Sequence, residues 1–288
     1  MTAHLKSLPA IAGGGSILVA AMDRRIARAI VATLVIGGYM ALGLAFRLGA
    51  EAYLLLGIPI TIGFQILVVR RPLRSLWLRQ APPMPFTLRS LVAIVVMAIA
   101  PAVVAATGVR DGDLALVGWG LAGMVGAVGA VYALRAMDRD AVRATIRTSL
   151  IAGAVLVGIM VAYRLATGGF HGNFAAAFST TVISLLTYLP VVFVVEEVLF
   201  RGLLDTYLHG STPGPDRASA LYGSALWGLW HVPVAFLALG VLTIPYLVVV
   251  HTSMGYFMVT AWRRTGNLAV PGVSHAVIDA LRNAVAVF

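Results

Sequence analysis

The chain contains no cysteine in 288 residues, so disulfide bracing, thiol catalysis and cysteine-ligated metals are all excluded. Charge is scarce as well. Charged residues make up 11% of the sequence, against about 25% for an ordinary soluble domain, and a soluble globule is excluded on that ground. A third absence is the strict apolar–polar alternation, in segments of about ten residues, that a membrane β-barrel requires. What the chain has in quantity is apolar length: 60% hydrophobic residues and a mean hydropathy of +0.94. Uncharged runs of spanning length cover 29–46, 52–69, 91–109, 114–134, 148–163 and 172–195. Three more, at 218–240, 241–262 and 268–288, contain His or Asp. A helix crossing a bilayer needs about 20 such residues. The expected fold is all-α, a polytopic transmembrane helical bundle with eight or nine spanning segments; 148–163 is short, and the division near Gly240 is soft.

Acidic residues are the rarer charge, 11 against 21 basic ones, for a net charge of +10. Such a balance invites a nucleic-acid reading, but the distribution of the cations argues against it. With the amino terminus in the cytoplasm, Lys6, Arg24, Arg25 and Arg28 lie inside. So do Arg70, Arg71, Arg74, Arg79 and Arg89, then Arg135, Arg139, Arg143 and Arg147, then Arg201, Arg217, Arg263 and Arg264. Only Arg47, Arg110 and Arg164 fall on the other side, which makes seventeen against three. This is the positive-inside bias, and it accounts for the basic pI without a polyanionic partner. The chain reads as an integral protein of the plasma (inner) membrane, its partner the lipid bilayer and not nucleic acid. Residues 8–22 are apolar and follow Lys6, as in a signal peptide, but Gly13-Gly14-Gly15 breaks the run. Residues 1–25 are therefore expected as a flexible cytoplasmic tail. Residues 26–165, rich in Ala, Val, Leu and Gly with charges confined to loops, are expected as a transmembrane scaffold. Residues 166–288, where ionisable groups enter the apolar segments, are expected as a catalytic bundle.

The entry of those groups is the sharpest feature. Residues 191–201 read Val-Val-Phe-Val-Val-Glu-Glu-Val-Leu-Phe-Arg, at the end of a 24-residue uncharged stretch beginning at Gly172. An ionisable group at the bilayer centre costs about 2.5–3.5 kcal/mol on insertion scales, so three together need a reason. Glu197 and Arg201 are four apart and share a helical face, so they can pair. Glu196 points about 100° away and has no partner in its own helix, which suits a general base in a partly dry site. Downstream, Trp227 precedes His231 by four residues, with Pro233 next to break the helix, and His275 precedes Asp279 by four. Together these types allow a water activated by Glu196 and oriented by His231, with His275 and Asp279 at the substrate carbonyl. The same set, Glu196, His231 and His275, has the ligand chemistry of zinc, although the His-Glu-x-x-His spacing of soluble zinc peptidases is absent. Taken singly, each element has a plainer reading as an ion pair, an interfacial acid or a packing residue. His251 is assigned to packing, Trp227 and Trp230 to packing or the interface, and Arg282 to an interface anchor.

The ordered series Glu196-Glu197-x-x-x-Arg201, Trp227-x-x-x-His231 and His275-x-x-x-Asp279, with Arg264-Thr-Gly-Asn-Leu-Ala-Val-Pro271 before the last, resembles the CPBP intramembrane proteases. That family includes the type II CAAX prenyl endopeptidases and bacteriocin-processing proteins. The resemblance spans roughly 190–285. It implies a bundle of about eight helices with a conical cavity open to the cytoplasm, and hydrolysis of peptide bonds near the membrane surface. By position, Glu196 is then the base, His231 lies beside the attacking water, and Glu197 and Arg201 shape the site. His275 and Asp279 stabilise the oxyanion or bind metal. Two positions depart from the family pattern: Trp227 stands where Phe is frequent, and Asp279 stands where Asn would donate to an oxyanion. An ionised Asp only accepts. Both a zinc-assisted and a metal-free glutamate mechanism remain open at this level. The reading is an intramembrane endopeptidase acting on a peptide or protein substrate near the cytoplasmic face. The alternatives are a non-proteolytic binding or immunity protein on the same scaffold and an ion-coupled transporter, the latter disfavoured by the lack of a visible internal repeat.

Overall fold

The structure is a computed structural model that describes residues 14–170, 172–210, 216–235 and 242–288. It is helical, with no strand among the described residues. Ten α-helices follow in order: α1 (Gly14–Ala45), α2 (Ala50–Phe64), α3 (Leu88–Asp111), α4 (Leu114–Arg135) and α5 (Arg139–Thr167), then α6 (Phe174–Val192), α7 (Thr206–His209), α8 (Arg217–Trp230), α9 (Thr243–Thr265) and α10 (Ala269–Val287). Wider π-helical turns occupy Gln65–Val69 and Val198–Asp205. Helix α1 begins inside the stretch expected as a tail, and residues 1–13 lie outside the described residues.

Among the described residues seven helices are long and apolar enough to cross a membrane: α1 to α6, with α2 extended through its π-turn, and α9. The two other expected segments fall short of that measure there, for two physical reasons. Helix α8 ends at Trp230 after 14 residues, where the chain turns at His231 ahead of Pro233. Helix α10 is 19 residues long, but His275, Asp279, Arg282 and Asn283 dilute its apolar character. Outward faces are greasy, as lipid contact requires: on α3 alone, Val92, Val95, Val96, Ile99 and Val103 are exposed.

The two ends of the bundle differ. One end gathers residues 65–87, the α4–α5 turn, residues 193–210 and the α9–α10 turn. Backbone bonds from Arg79 N to Gly266 O (2.9 Å) and from Leu268 N to Trp77 O (2.9 Å) stitch it together. Trp77 Nε1 donates to Phe193 O at 2.7 Å, and Asn267 Nδ2 to Ala133 O at 3.0 Å. The other end carries the α1–α2, α3–α4 and α5–α6 turns and the carboxyl terminus, where Gly172 N donates to Phe288 O at 2.9 Å. Between them the core is aromatic: Tyr39, Tyr53 and Trp230 pack with ring centroids 4.8–5.5 Å apart, and Tyr53 Oη donates to Trp230 O at 2.7 Å.

Small residues set how closely the helices approach. A Cβ on Gly228 of α8 would meet Leu247 O of α9 at 2.6 Å, and one on Gly255 of α9 would meet Ser224 Oγ at 2.7 Å. The α8–α9 crossing therefore depends on bare backbone at two points. It brings His231, at the end of α8, beside the middle of α9.

Candidate active site

Helix α6 carries Pro190, which lacks an N–H and crowds the preceding turn, and the helix stops at Val192. A turn over 193–195 follows, the chain becomes helical again at Glu196 and Glu197, and it then widens into the π-helical segment. Such wide turns recur at functional sites because they shift side chains off the regular helical register. Here the break lets two adjacent carboxylates leave the chain in different directions.

Glu197 turns inward and is fully buried. Its Oε1 accepts from Arg201 Nη1 at 3.0 Å and from His275 Nδ1 at 2.8 Å. Arg201, 1% exposed, lies with its guanidinium 4.0 Å from the Trp227 ring centroid and donates to Met258 Sδ at 3.4 Å. A charged pair taken out of water costs several kcal/mol per ion, which good geometry and further hydrogen bonds offset. Three helical segments supply that compensation.

Glu196 turns the other way, into a cavity of about 550 Å³. Its Oε2 accepts from Trp227 Nε1 at 3.0 Å. The same oxygen lies 3.6 Å from His231 Nε2 and 3.9 Å from His275 Nε2. The opposite nitrogen of His231, Nδ1, is 2.9 Å from Trp227 O and donates to that carbonyl, which leaves Nε2 as an acceptor toward the cavity. His275 is flanked by carboxylates on both sides, with Nδ1 on Glu197 and Nε2 3.4 Å from Asp279 Oδ2. An imidazole in that position is best satisfied with a proton on each nitrogen, as a donor in both directions. Asp279 is itself held by Arg282 Nη1 at 3.0 Å.

The structure thus brings together Glu196, Glu197, Arg201, His231, His275 and Asp279, with His231 and His275 both within 4 Å of the single oxygen Glu196 Oε2. Two further residues come with them. His251 stacks on His231 with centroids 4.1 Å apart and an interplanar angle of 33°, and its edge meets Trp227 at 4.7 Å. Arg282 also lines the cavity. His251 meets His231 and Trp227 across a helix crossing, where no spacing rule reaches, whereas Arg282 pairs with Asp279 three residues earlier on its own helix. Trp227, read as packing, is a hydrogen-bond donor to Glu196.

Glu196, His231 and His275, the set expected from the sequence to suit zinc, all face the same cavity. Among the described residues no group of three or more His, Asp or Glu side chains is disposed to hold a metal ion. His275 Nδ1 is held by Glu197, and its Nε2 faces Asp279 at 3.4 Å and Glu196 at 3.9 Å. The chemistry below is routed through no metal.

The cavity has a direction. Its floor is formed by Glu196, Trp227, Met258 and His275, and its outer wall by Glu51 of α2, Leu116 and Trp119 of α4, Tyr246 of α9 and Arg282 of α10. Those outer residues belong to the end with the α1–α2 and α3–α4 turns.

Residues 177–281 match the family described as Type II CAAX prenyl endopeptidase Rce1-like. The matched stretch contains Glu196, Glu197, Arg201, Trp227, His231, His251, His275 and Asp279, stops one residue before Arg282, and leaves α1 to α5 outside it. No curated protein and no solved structure matches the chain. The family supports a membrane peptidase in general terms and an integral membrane setting.

Proposed function

We propose that this chain is an intramembrane endopeptidase that hydrolyses a peptide bond with a water activated by Glu196. The observation carrying this reading is the single oxygen, Glu196 Oε2, that accepts from Trp227 and faces both His231 and His275 at 3.6 and 3.9 Å. A water seated before Glu196 and His231 donates one proton to each acceptor and presents a lone pair to the scissile carbonyl carbon. Glu196 takes the proton as the C–O bond forms, and later delivers it to the leaving amine.

The developing oxyanion needs donors, and Asp279, ionised against Arg282, is not one. His275 and the Arg282 guanidinium take that place, with Asp279 as the acceptor that aims them both. Glu197 and Arg201 are positioning residues. They hold His275 and the face of Trp227 from below, without touching the reacting atoms.

The test is cleavage of a peptide library by purified protein in detergent. Glu196→Gln keeps the size of the side chain and its hydrogen bond from Trp227 but removes the base. General-base catalysis contributes about 10²–10⁴-fold, and the variant should lose cleavage by that factor while unfolding at the wild-type temperature. Undiminished cleavage by a folded Glu196→Gln protein would refute the assignment.

A further inference from the structure

We propose that a groove between α5 and α9, headed by Arg147 and Arg264, holds one anionic phospholipid, with its phosphate between the two guanidinium groups and an acyl chain along the apolar part. The groove shares no lining residue with the cavity around Glu196, so the proposal does not depend on the peptidase reading.

Two independent observations carry it. The first is the shape and polarity of the groove. Ala141 and Ala144 of α5 and Ala261 of α9 are buried against Val270 of α10, so the seam between α5 and α9 is floored by methyl groups. Its walls are the longer side chains on either side. The outer part, about 550 Å³, runs past Asp138, Asp140 and Arg143, and the inner part, about 190 Å³, runs past Ile151, Phe257 and Thr260. Ala144, Arg147 and Arg264 line both parts and make them one groove. Phe257 lies seven residues before Arg264, about 10 Å of helix, and Ile151 lies four after Arg147, about 6 Å. Charge therefore sits at the end of the bundle with the α4–α5 and α9–α10 turns, and apolar surface lies toward its middle, the order in which a phospholipid presents head and chain. Val142, Ile146 and Leu150 are exposed on α5, so the groove opens beside a face that acyl chains cover.

The second observation is pairing. Other cations at this end are engaged: Arg79 Nη1 donates to Arg263 O at 3.0 Å, Arg135 Nη1 donates to Thr87 Oγ1 at 3.0 Å, and Arg143 Nη1 lies 3.4 Å from Asp140 Oδ1. Asp138 is occupied as the cap of α5, accepting from Ala141 N at 2.7 Å. Arg147 and Arg264 are exposed and have no hydrogen bond or ion pair among the described residues. Two such groups on one groove repel each other unless an anion lies between them, and a phosphate oxygen pair accepts the planar N–H fork that each presents. Basic pockets between transmembrane helices bind lipid head groups in this way.

The test is native mass spectrometry of the full chain released from detergent after titration with dioleoylphosphatidylglycerol, dioleoylphosphatidylcholine or inorganic phosphate. One phosphatidylglycerol should be retained per chain, at least tenfold more tightly than phosphatidylcholine, whose own ammonium group opposes the arginines. An arginine beside an anionic lipid contributes about fivefold in affinity, so Arg147→Gln and Arg264→Gln should each weaken binding by that factor, and the two together by about 30-fold. Arg139→Gln, at an exposed arginine of the same end outside the groove, should leave binding unchanged. Equal retention of the two lipids would overturn the proposal. So would equal weakening by Arg139→Gln, which marks diffuse charge attraction, or displacement of the lipid by inorganic phosphate, which marks a site for a free anion.

Discussion

Replacing Arg201 separates what the buried ion pair does for stability from what it does for the reaction. Arg201→Met removes a guanidinium that is 1% exposed, 3.0 Å from Glu197 Oε1 and 4.0 Å from the Trp227 ring centroid. Glu197 would then be a fully buried carboxylate with His275 as its remaining charged partner. Breaking such a pair from one side costs about 3–5 kcal/mol, since the surviving charge is left poorly compensated. At about 2–4 °C per kcal/mol for a chain of this size class, the unfolding temperature in detergent should fall by about 6–20 °C. Glu197 Oε2 and Arg201 Nε have no hydrogen-bond partner in the structure, so the pair is imperfectly satisfied even when intact. The double replacement Glu197→Leu with Arg201→Met should therefore recover most of the lost stability, as apolar replacement of buried ion pairs often does. It should not recover cleavage, because His275 Nδ1 has lost the oxygen that held it at 2.8 Å. Tryptophan fluorescence during heating and peptide turnover measure the two effects on the same samples. An Arg201→Met protein that melts within about 2 °C of wild type would refute the reasoning, since one kcal/mol alone moves the midpoint that far.

Two other outcomes follow from the geometry. His251→Phe preserves an aromatic ring against His231 and Trp227 but loses the bond to Leu247 O at 2.7 Å that orients it. Turnover should fall by about tenfold, the equivalent of one 1.4 kcal/mol interaction, with KM unchanged; a change confined to KM would instead make His251 a substrate contact. Exhaustive chelation should leave cleavage intact, because the proposed step runs on Glu196 and His231 acting on water alone. Loss of cleavage restored by added zinc would contradict that.

The parts of this site that can be read along the sequence are the local ones. Glu197 and Arg201 pair at a separation of four, and His275 and Asp279 do the same, because helical spacing alone puts them on one face. The divergence of Glu196 from Glu197 follows from the same geometry. His251 was invisible because its neighbours, His231 and Trp227, lie on another helix, and only the bare crossing at Gly228 and Gly255 brings α8 and α9 close enough for rings to stack. Arg282, read as an interface anchor, also turns toward Asp279 one helical turn earlier, a pairing that its spacing of three permits. Hydropathy runs do not register that a helix stops at His231, nor that the inward face of another is polar. The cavity's direction depends on how seven helices tilt about one another, which no local pattern encodes.

The central claim is that Glu196 and His231 act as one unit on one water, and a double-mutant cycle on turnover tests it most directly. Residues that act together are strongly non-additive, so Glu196→Gln and His231→Ala should each cost nearly as much as the pair combined. Losses that multiply, with the double variant slower than either single by the full product, would show that the two side chains work on separate steps and would contradict the mechanism.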